Sequence, residues 1–468
     1  MSEEVRSSSA ENKMGTMPVV KLIFNMSLPI MFSMLVMALY NIVDSIFVAK
    51  INEEALTAVS LAFPFQNLMI SFGVGTAIGV NALLSFSLGR KNQKDVDRTA
   101  MNGVFLAFCN FIFFLIVGLT CVVPYLTSQT SHAVTEAARE SNKLIFSYGK
   151  QYLMIVTCTG FFVFGEVMFE RLLQATGRTF FSMISQCCGA VFNLIFDPLL
   201  IFGIGPFPQL GIAGAAIATV LGQVCAMTVS VILNLKFNHD INFKIKNLIP
   251  EGRIIARIYK VGIPSIAMTS ITSVIAYFMN IILGHFTMTA VAVYGVFIKM
   301  NSFIFMPVFG LNSGIIPIIA YNYGAAKHRR LTKTIRAALV MAFVIMFCGF
   351  MIFETIPGRL FDLFNASPDM KQIGIAAFRR IAPSFLGASL AITLSSVFQA
   401  FGNAIYSMIV SFSRQLLVFL PSAYLLSLTG EVNNVWWCFI IAEFMSVGVS
   451  LFFIRRIYIK KIKPIPYE

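Results

Sequence analysis

Charged residues are scarce in this 468-residue chain: they make up 12% of it, whereas hydrophobic residues make up 57%. So small a charged fraction excludes a soluble globular protein with a polar surface. Lys and Arg number 35 against 21 Asp and Glu, but they form short clusters between apolar runs, as in the loops of membrane proteins. The composition therefore predicts an integral membrane protein surrounded by lipid, and it argues against a nucleic-acid partner.

The sequence also lacks the motifs of several enzyme and metal-site classes. It contains no Walker A sequence, no G-x-S-x-G and no H-E-x-x-H. Its eight cysteines lie mostly in apolar runs without C-x-x-C or Cys/His spacing, so neither a disulfide framework nor a zinc site is supported. We therefore expect no enzyme activity and no cofactor. Without a nucleotide-binding domain, any active transport must draw its energy from an ion gradient.

Twelve apolar runs are long enough to cross a bilayer as helices, and they predict an all-α integral membrane protein. The runs cover residues 18–48, 55–88, 99–125, 144–174, 179–203, 210–236, 254–285, 288–323, 331–356, 372–400, 404–429 and 434–458. The first run is too long for a signal peptide and has no small-residue cleavage site, so we expect it to be retained.

Short motifs of the first half of the chain recur in the second half, which predicts two halves of six helices each. Q-A-x-G at 174–177 recurs at 399–402, and S-M-I at 182–184 recurs at 407–409. Six is even, so both halves have the same orientation and are related by a pseudo-twofold axis, as in transporters with parallel repeats. The predicted divisions are an N-terminal tail at 1–16, a first lobe at 17–236, a linker at 237–253, a second lobe at 254–458 and a C-terminal tail at 459–468.

The distribution of Lys and Arg predicts the orientation in the membrane. If the N-terminus lies inside, most basic residues fall on the inner side, notably in the segments 90–98, 236–260, 327–336 and 455–463. The positive-inside rule then places both termini in the cytoplasm. We expect a multi-pass protein of the plasma membrane.

One stretch of the fifth run combines several groups that could bind an ion. Asn193 and Asp197 are four residues apart and share a helix face. Pro198 has no N–H to donate to the carbonyl of Leu194. An acid at the centre of a bilayer costs roughly 2.5–3.5 kcal/mol on insertion scales. The stretch predicts a site for a small cation or a proton; the alternative is a buried Asp satisfied by neighbouring helices.

Other runs of the first half bring oxygen-bearing side chains to a similar depth. Asp44 lies in the first run with Tyr40 and Asn41 on the same helix side, and Tyr152 and Thr219 reach a comparable level in the fourth and sixth. The seventh, eighth, tenth and eleventh runs contain no Asp or Glu. A purely structural role of these acids would be expected to recur in both halves. Their restriction to the first half therefore favours a functional role. Na⁺ and H⁺ both remain open as the ion.

A few charges lie inside other runs. Glu166, in the fourth run, either meets a cationic substrate in a central cavity, or pairs with Arg171 or forms hydrogen bonds between helices. Lys299 and Arg414 are expected to pair or to extend towards the interface, and Glu443 has no predicted role. The 24 Met and 47 Phe residues predict a cavity suited to varied lipophilic ligands.

Taken together, these features resemble the multidrug and toxic compound extrusion (MATE) family, nearest its MepA-like branch. The resemblance extends from about Pro18 to Lys460 and rests on Pro29 to Asp44, the Gly89-Arg90 loop, Q-A-x-G at 174–177, N-x-x-x-D-P at 193–198, Gly211 to Thr219, and Gly324. It implies that small lipophilic, mostly cationic compounds leave the cell as Na⁺ or H⁺ enters. The implied ion site consists of Asp44, Asn193, Asp197 and Thr219, with Tyr152 nearby. Tyr40, Asn41 and Glu166 remain candidates for coupling or substrate contact.

The resulting hypothesis is a monomeric carrier whose two lobes rock about a central cavity. Another branch of the family carries acids in its seventh and tenth helices, which this chain lacks. An alternative is a flippase for lipid-linked oligosaccharides, which would need a cationic cavity and could draw on Lys299 and Arg414. An ion channel, a receptor-like protein and a membrane-embedded enzyme are further alternatives.

Overall fold

A computed structural model describes residues 12–130, 136–244, 249–364 and 366–466. All regular secondary structure in these ranges is helical. Residues 1–11 of the predicted N-terminal tail, 245–248 of the predicted linker and 467–468 of the predicted C-terminal tail lie outside the described residues.

Eighteen α-helices are described, with π-helical stretches at Ser413–Phe419 and Tyr458–Ile462. The α-helices are α1 Lys13–Thr16, α2 Val19–Ala49, α3 Glu53–Gly89, α4 Gln93–Thr130, α5 Glu136–Cys158, α6 Phe161–Ala175, α7 Thr179–Phe202, α8 Ile212–Phe237, α9 Gly252–Gly284, α10 Met288–Gly324, α11 His328–Thr355, α12 Pro357–Asp362, α13 Pro368–Ile381, α14 Ser384–Ala400, α15 Ala404–Phe412, α16 Leu420–Ser427, α17 Val432–Val435 and α18 Cys438–Ile457.

Ten helical spans of the described chain are long and apolar enough to cross a membrane, and two bent helix pairs raise the number to twelve if each pair is one span. The pair α5 and α6 is bent by 49°, and the pair α13 and α14 by 51°. The predicted runs 144–174 and 372–400 are therefore broken rather than continuous. Pro383 explains the second bend because it cannot donate a helical hydrogen bond, and Gly160 lies at the first.

The two halves approach each other at backbone distance through glycines. A Cβ on Gly75 of α3 would lie 2.8 Å from the backbone nitrogen of Ile266 in α9. A Cβ on Gly310 of α10 would lie 2.7 Å from the Cα of Met31 in α2. Small residues permit such close crossings in membranes, where helices associate through packing. The helix α2 therefore contacts the second half directly.

The helix α1 joins the two halves at one end of the bundle. Asn12 donates to the carbonyl of Thr176 (3.1 Å) in the first half, and Lys13 donates to Oδ1 of Asn25 (2.7 Å). Arg330 of α11, in the second half, donates to the carbonyls of Met14 (3.2 Å) and Met17 (2.7 Å). We call this end of the bundle, where α1, Thr176 and Arg330 meet, the basic side.

These contacts predict that Arg330→Ala loosens α1. Hydrogen bonds from a charged donor contribute about 1.5–3 kcal/mol each. We therefore expect the backbone amides of residues 14–17 to exchange hydrogen at least about tenfold faster, measured by mass spectrometry. The neighbouring Arg329 is exposed, and Arg329→Ala is the matched control. Equal exchange in the two variants would show that Arg330 does not hold α1.

The described parts of the predicted linker, residues 237–244 and 249–253, contact the first half. Glu251 forms an ion pair with Arg98 of α4 (2.7 Å), and Asp240 forms one with Arg178 (3.2 Å). The carboxylate of Asp97 accepts from the backbone N–H of Asn242 (2.9 Å). These contacts attach both ends of the connection between the halves to the first half.

Candidate ion-binding site

The helix α7 carries two polar side chains on its buried face. Asn193 is 3% exposed and Asp197 is fully buried. Pro198 lies inside α7 without ending it, and the helix continues to Phe202. It stops at Gly203, whose φ of +71° is in the left-handed region that glycine adopts without strain. The chain then returns to α8, and the backbone of Leu210 donates to the carbonyl of Leu200 (2.9 Å).

The backbones of α7 and α8 are in close contact beside this site. A Cβ on Gly222 would lie 2.9 Å from the carbonyl oxygen of Gly189 and 3.1 Å from the Cβ of Asn193. In the orientation of the Asn193 amide that gives both its nitrogen and its oxygen a hydrogen-bond partner, the nitrogen donates to Oδ2 of Asp197 (3.0 Å). Its oxygen then accepts from the backbone N–H of Thr219 (3.1 Å). The glycines thus allow α8 to position the amide that contacts Asp197.

The carboxyl groups of Asp44 and Asp197 lie within hydrogen-bonding reach of each other. Two ionised carboxylates have no hydrogen to share, so this contact requires a proton or a cation between them. Among the described residues, no donor reaches the buried Oδ1 of Asp44. The pair therefore offers carboxylate oxygens from two helices, α2 and α7, to one small cation or proton.

Tyrosine and glutamine side chains surround the acidic pair. The hydroxyl of Tyr152, in α5, interacts with the side chains of Thr219 and Gln66. Tyr40 lies one turn before Asp44 and close enough to both acids to interact with them electrostatically. Sequence reasoning missed Gln66, one of three amide side chains in the long apolar helix α3. Two adjacent amides, Gln66 and Asn67, shortly after Pro64 were the only signal in the sequence.

The remaining predicted candidates lie at the edge of this cluster or outside it. Asn41 is exposed, and its backbone carbonyl accepts from the hydroxyl of Ser45 (2.9 Å). Glu166, on α6, lies near Tyr40 and Glu170. Its proposed partner Arg171 instead donates to Oε1 of Gln174 (3.0 Å).

Charges of the second half are placed differently. Arg414 donates to Oε1 of Glu443 (2.7 Å), and Ser446 donates to Oε2 of the same carboxylate (2.9 Å). This contact gives Glu443 the structural role that the sequence did not predict. Lys299 is exposed, and its Nζ lies 5.8 Å from the centre of the Phe364 ring.

A cavity lined by Met and Phe lies within the first half, between α4, α6 and α8. It measures about 250 Å³, and its lining includes Phe105, Phe161, Phe169, Met168 and Met227. Pockets that bury a drug-sized ligand measure about 300–1,000 Å³. This cavity is too small to be such a pocket.

The MatE family model matches this chain in each half, over residues 29–199 and 264–425. Multidrug export protein MepA of Staphylococcus haemolyticus is 25% identical over 438 residues, which cover 93% of each chain. The protein of the same name from Staphylococcus aureus strain MSSA476 is 25% identical over 429 residues, which cover 91% of each chain.

A solved structure shows the same architecture. It is described as the outward-facing conformation of a multidrug resistance MATE family transporter of the MOP superfamily. It matches with a TM-score of 0.87 at 22% identity, covering 97% of this chain and 99% of that chain. The predicted all-α fold, with twelve spans in two six-helix lobes, is thereby confirmed. The family model covers more than half of the chain, so this protein belongs to the MatE family and is a membrane transporter, not an enzyme.

Proposed function

We propose that this protein is a secondary active multidrug efflux transporter that exports lipophilic, mostly cationic compounds in exchange for Na⁺ or H⁺. The observation that carries the proposal is the contact between the carboxyl groups of Asp44 and Asp197 in the first half. Such a pair needs a proton or a small cation between its members, so ion entry and release change the charge of the site. The names of the staphylococcal relatives support multidrug export.

The position of Asp44 suggests how ion binding acts on the two lobes. Asp44 lies on α2, which contacts α10 of the second half through Met31 and Gly310. Ion binding between α2 and α7 therefore acts on a helix shared by the site and the lobe interface. Coupled exchange requires the ion and the substrate to favour different states of the carrier or to exclude each other.

We also propose that the basic side faces the cytoplasm, in line with the distribution of Lys and Arg. Both termini then lie on the cytoplasmic side of the plasma membrane. The two lobes are residues 17–236 and 254–458, joined by the linker 237–253. The carrier works as a monomer in this proposal, with one substrate path between its two lobes.

A flippase for lipid-linked oligosaccharides has less support. It would need a cationic cavity in the second half. Of the two cations that could supply one, Arg414 is neutralised by Glu443 and Lys299 is exposed beside Phe364.

Reconstituted vesicles test the proposed exchange. We expect an imposed Na⁺ or H⁺ gradient to drive ethidium across the membrane in the opposite direction, and we expect ionophores that collapse the gradient to stop this movement. Parallel assays with each gradient identify the ion. Ethidium movement that ignores both gradients, or ionic current without ethidium movement, would contradict antiport.

A further inference from the structure

Another acidic side chain of the first half, Glu170, is buried far from Asp44 and Asp197. Glu170, on α6, is 4% exposed, and Nε2 of Gln186, on α7, donates to its Oε2 (2.6 Å). Gln186 and Asp197 are eleven residues apart on one helix, which corresponds to about 16 Å along its axis. The helix α6 ends and α7 begins at the basic side, so the pair of Glu170 and Gln186 lies nearer to that side than Asp197 does.

Each member of this pair has an acceptor without a donor. Oε1 of Glu170 and Oε1 of Gln186 are both buried, and neither receives a hydrogen bond from any group in the part of the chain that the structure describes. The nearby hydroxyl of Ser185 has a single hydrogen, which it donates to the carbonyl of Ala226 (2.7 Å). An ionised Glu170 would therefore be a buried carboxylate with one hydrogen bond, which is unfavourable in a membrane protein.

The neighbouring arginine does not remove this problem. The guanidinium of Arg171 donates to Gln174 (3.0 Å), and within the described ranges it forms no ion pair with Glu170. The other titratable groups around the pair are Glu166 on α6, Cys187 and Cys188 on α7, and Cys225 on α8. Arg171 is the one cation among these groups and can balance one carboxylate only. If Glu166 and Glu170 were both ionised, one negative charge would remain unbalanced.

We infer that Glu170 is a second proton-binding site, in which Oε1 of the protonated acid donates to Oε1 of Gln186. The amide already donates to Oε2, so the proton completes a pair of reciprocal acid–amide hydrogen bonds and satisfies both unpaired oxygens. Proton uptake changes the charge of Glu170 from −1 to zero and leaves Gln186 neutral.

The position of this site suggests its use. Glu166 lies one helical turn from Glu170 and near Tyr40, and Tyr40 lies near Asp44 and Asp197. A line of titratable side chains thus extends from the basic side to the acidic pair. If the proposed antiport holds, protons that leave the acidic pair pass Glu166 and Glu170. The proton on Glu170 itself does not depend on that function.

Infrared spectroscopy of the purified protein tests the site independently of transport. We expect the C=O stretching band of a protonated carboxyl at neutral pH, shifted by D₂O. One component of this band should be lost in Glu170→Gln and kept in Asp197→Asn, whereas any component from the pair of Asp44 and Asp197 should show the opposite behaviour. In Gln186→Leu the Glu170 component should move to higher frequency, because the donor to Oε2 is gone; this variant is informative even if Glu170→Gln does not fold. A spectrum in which neither substitution alters a protonated-carboxyl band would overturn the inference, whether or not the protein transports ethidium.

Discussion

Asp197→Asn is expected to reduce gradient-driven ethidium efflux to the rate of protein-free vesicles. Asparagine preserves the size of the side chain, but it can neither carry the charge that attracts a cation nor share a proton with Asp44. Asp44 would then lie beside a neutral amide, and the carboxylate pair that needs an ion would no longer exist. The measurement is the initial rate of efflux under each imposed gradient, at equal protein content.

Asp362→Asn provides the matched control for this experiment. Asp362 forms an ion pair with Lys371 in which its side chain is 56% exposed, and such surface pairs contribute little to stability. The same chemical change outside the site should leave efflux at the wild-type rate. Wild-type efflux by Asp197→Asn, with normal protein content, would remove Asp197 from the mechanism.

The number of spans was predictable because hydropathy alone identifies the segments that are long and apolar enough to cross a bilayer. The bends between α5 and α6 and between α13 and α14 were harder to predict from the sequence. Pro383 marks the second bend in the sequence, since proline removes a helical hydrogen bond. The first bend, between α5 and α6, contains no proline, and a single glycine at 160 does not distinguish a bend from a straight packed helix.

The candidate site was predictable only within single helices. A spacing of four residues places Asn193 and Asp197 on one face, and the structure buries both. The contact of the Asn193 amide with Thr219 depends instead on how closely α8 approaches α7 at Gly189 and Gly222. The participation of Gln66 likewise depends on tertiary packing, because Gln66 and the adjacent Asn67 form no periodic pattern that would indicate a partner.

The ion pair of Arg414 and Glu443 leads to the largest expected effect on stability. Both side chains are largely buried, with 24% and 12% of their areas exposed, and they join the π-helical stretch Ser413–Phe419 to α18. Glu443→Ala leaves the guanidinium without its carboxylate. Because an unpaired buried charge is costly, we expect the free energy of unfolding in detergent to fall by about 3–5 kcal/mol.

A double variant separates the loss of the pair from the burial of a lone charge. In Arg414→Met with Glu443→Leu, both charges are replaced by apolar side chains of similar size, a change that is often neutral or stabilising in other proteins. We therefore expect the double variant to recover most of the stability that Glu443→Ala loses. As a surface control, Lys371→Ala should change the free energy of unfolding by at most about 1 kcal/mol. A double variant as unstable as Glu443→Ala would instead assign the loss to packing around α18, because the guanidinium would no longer be there to account for it.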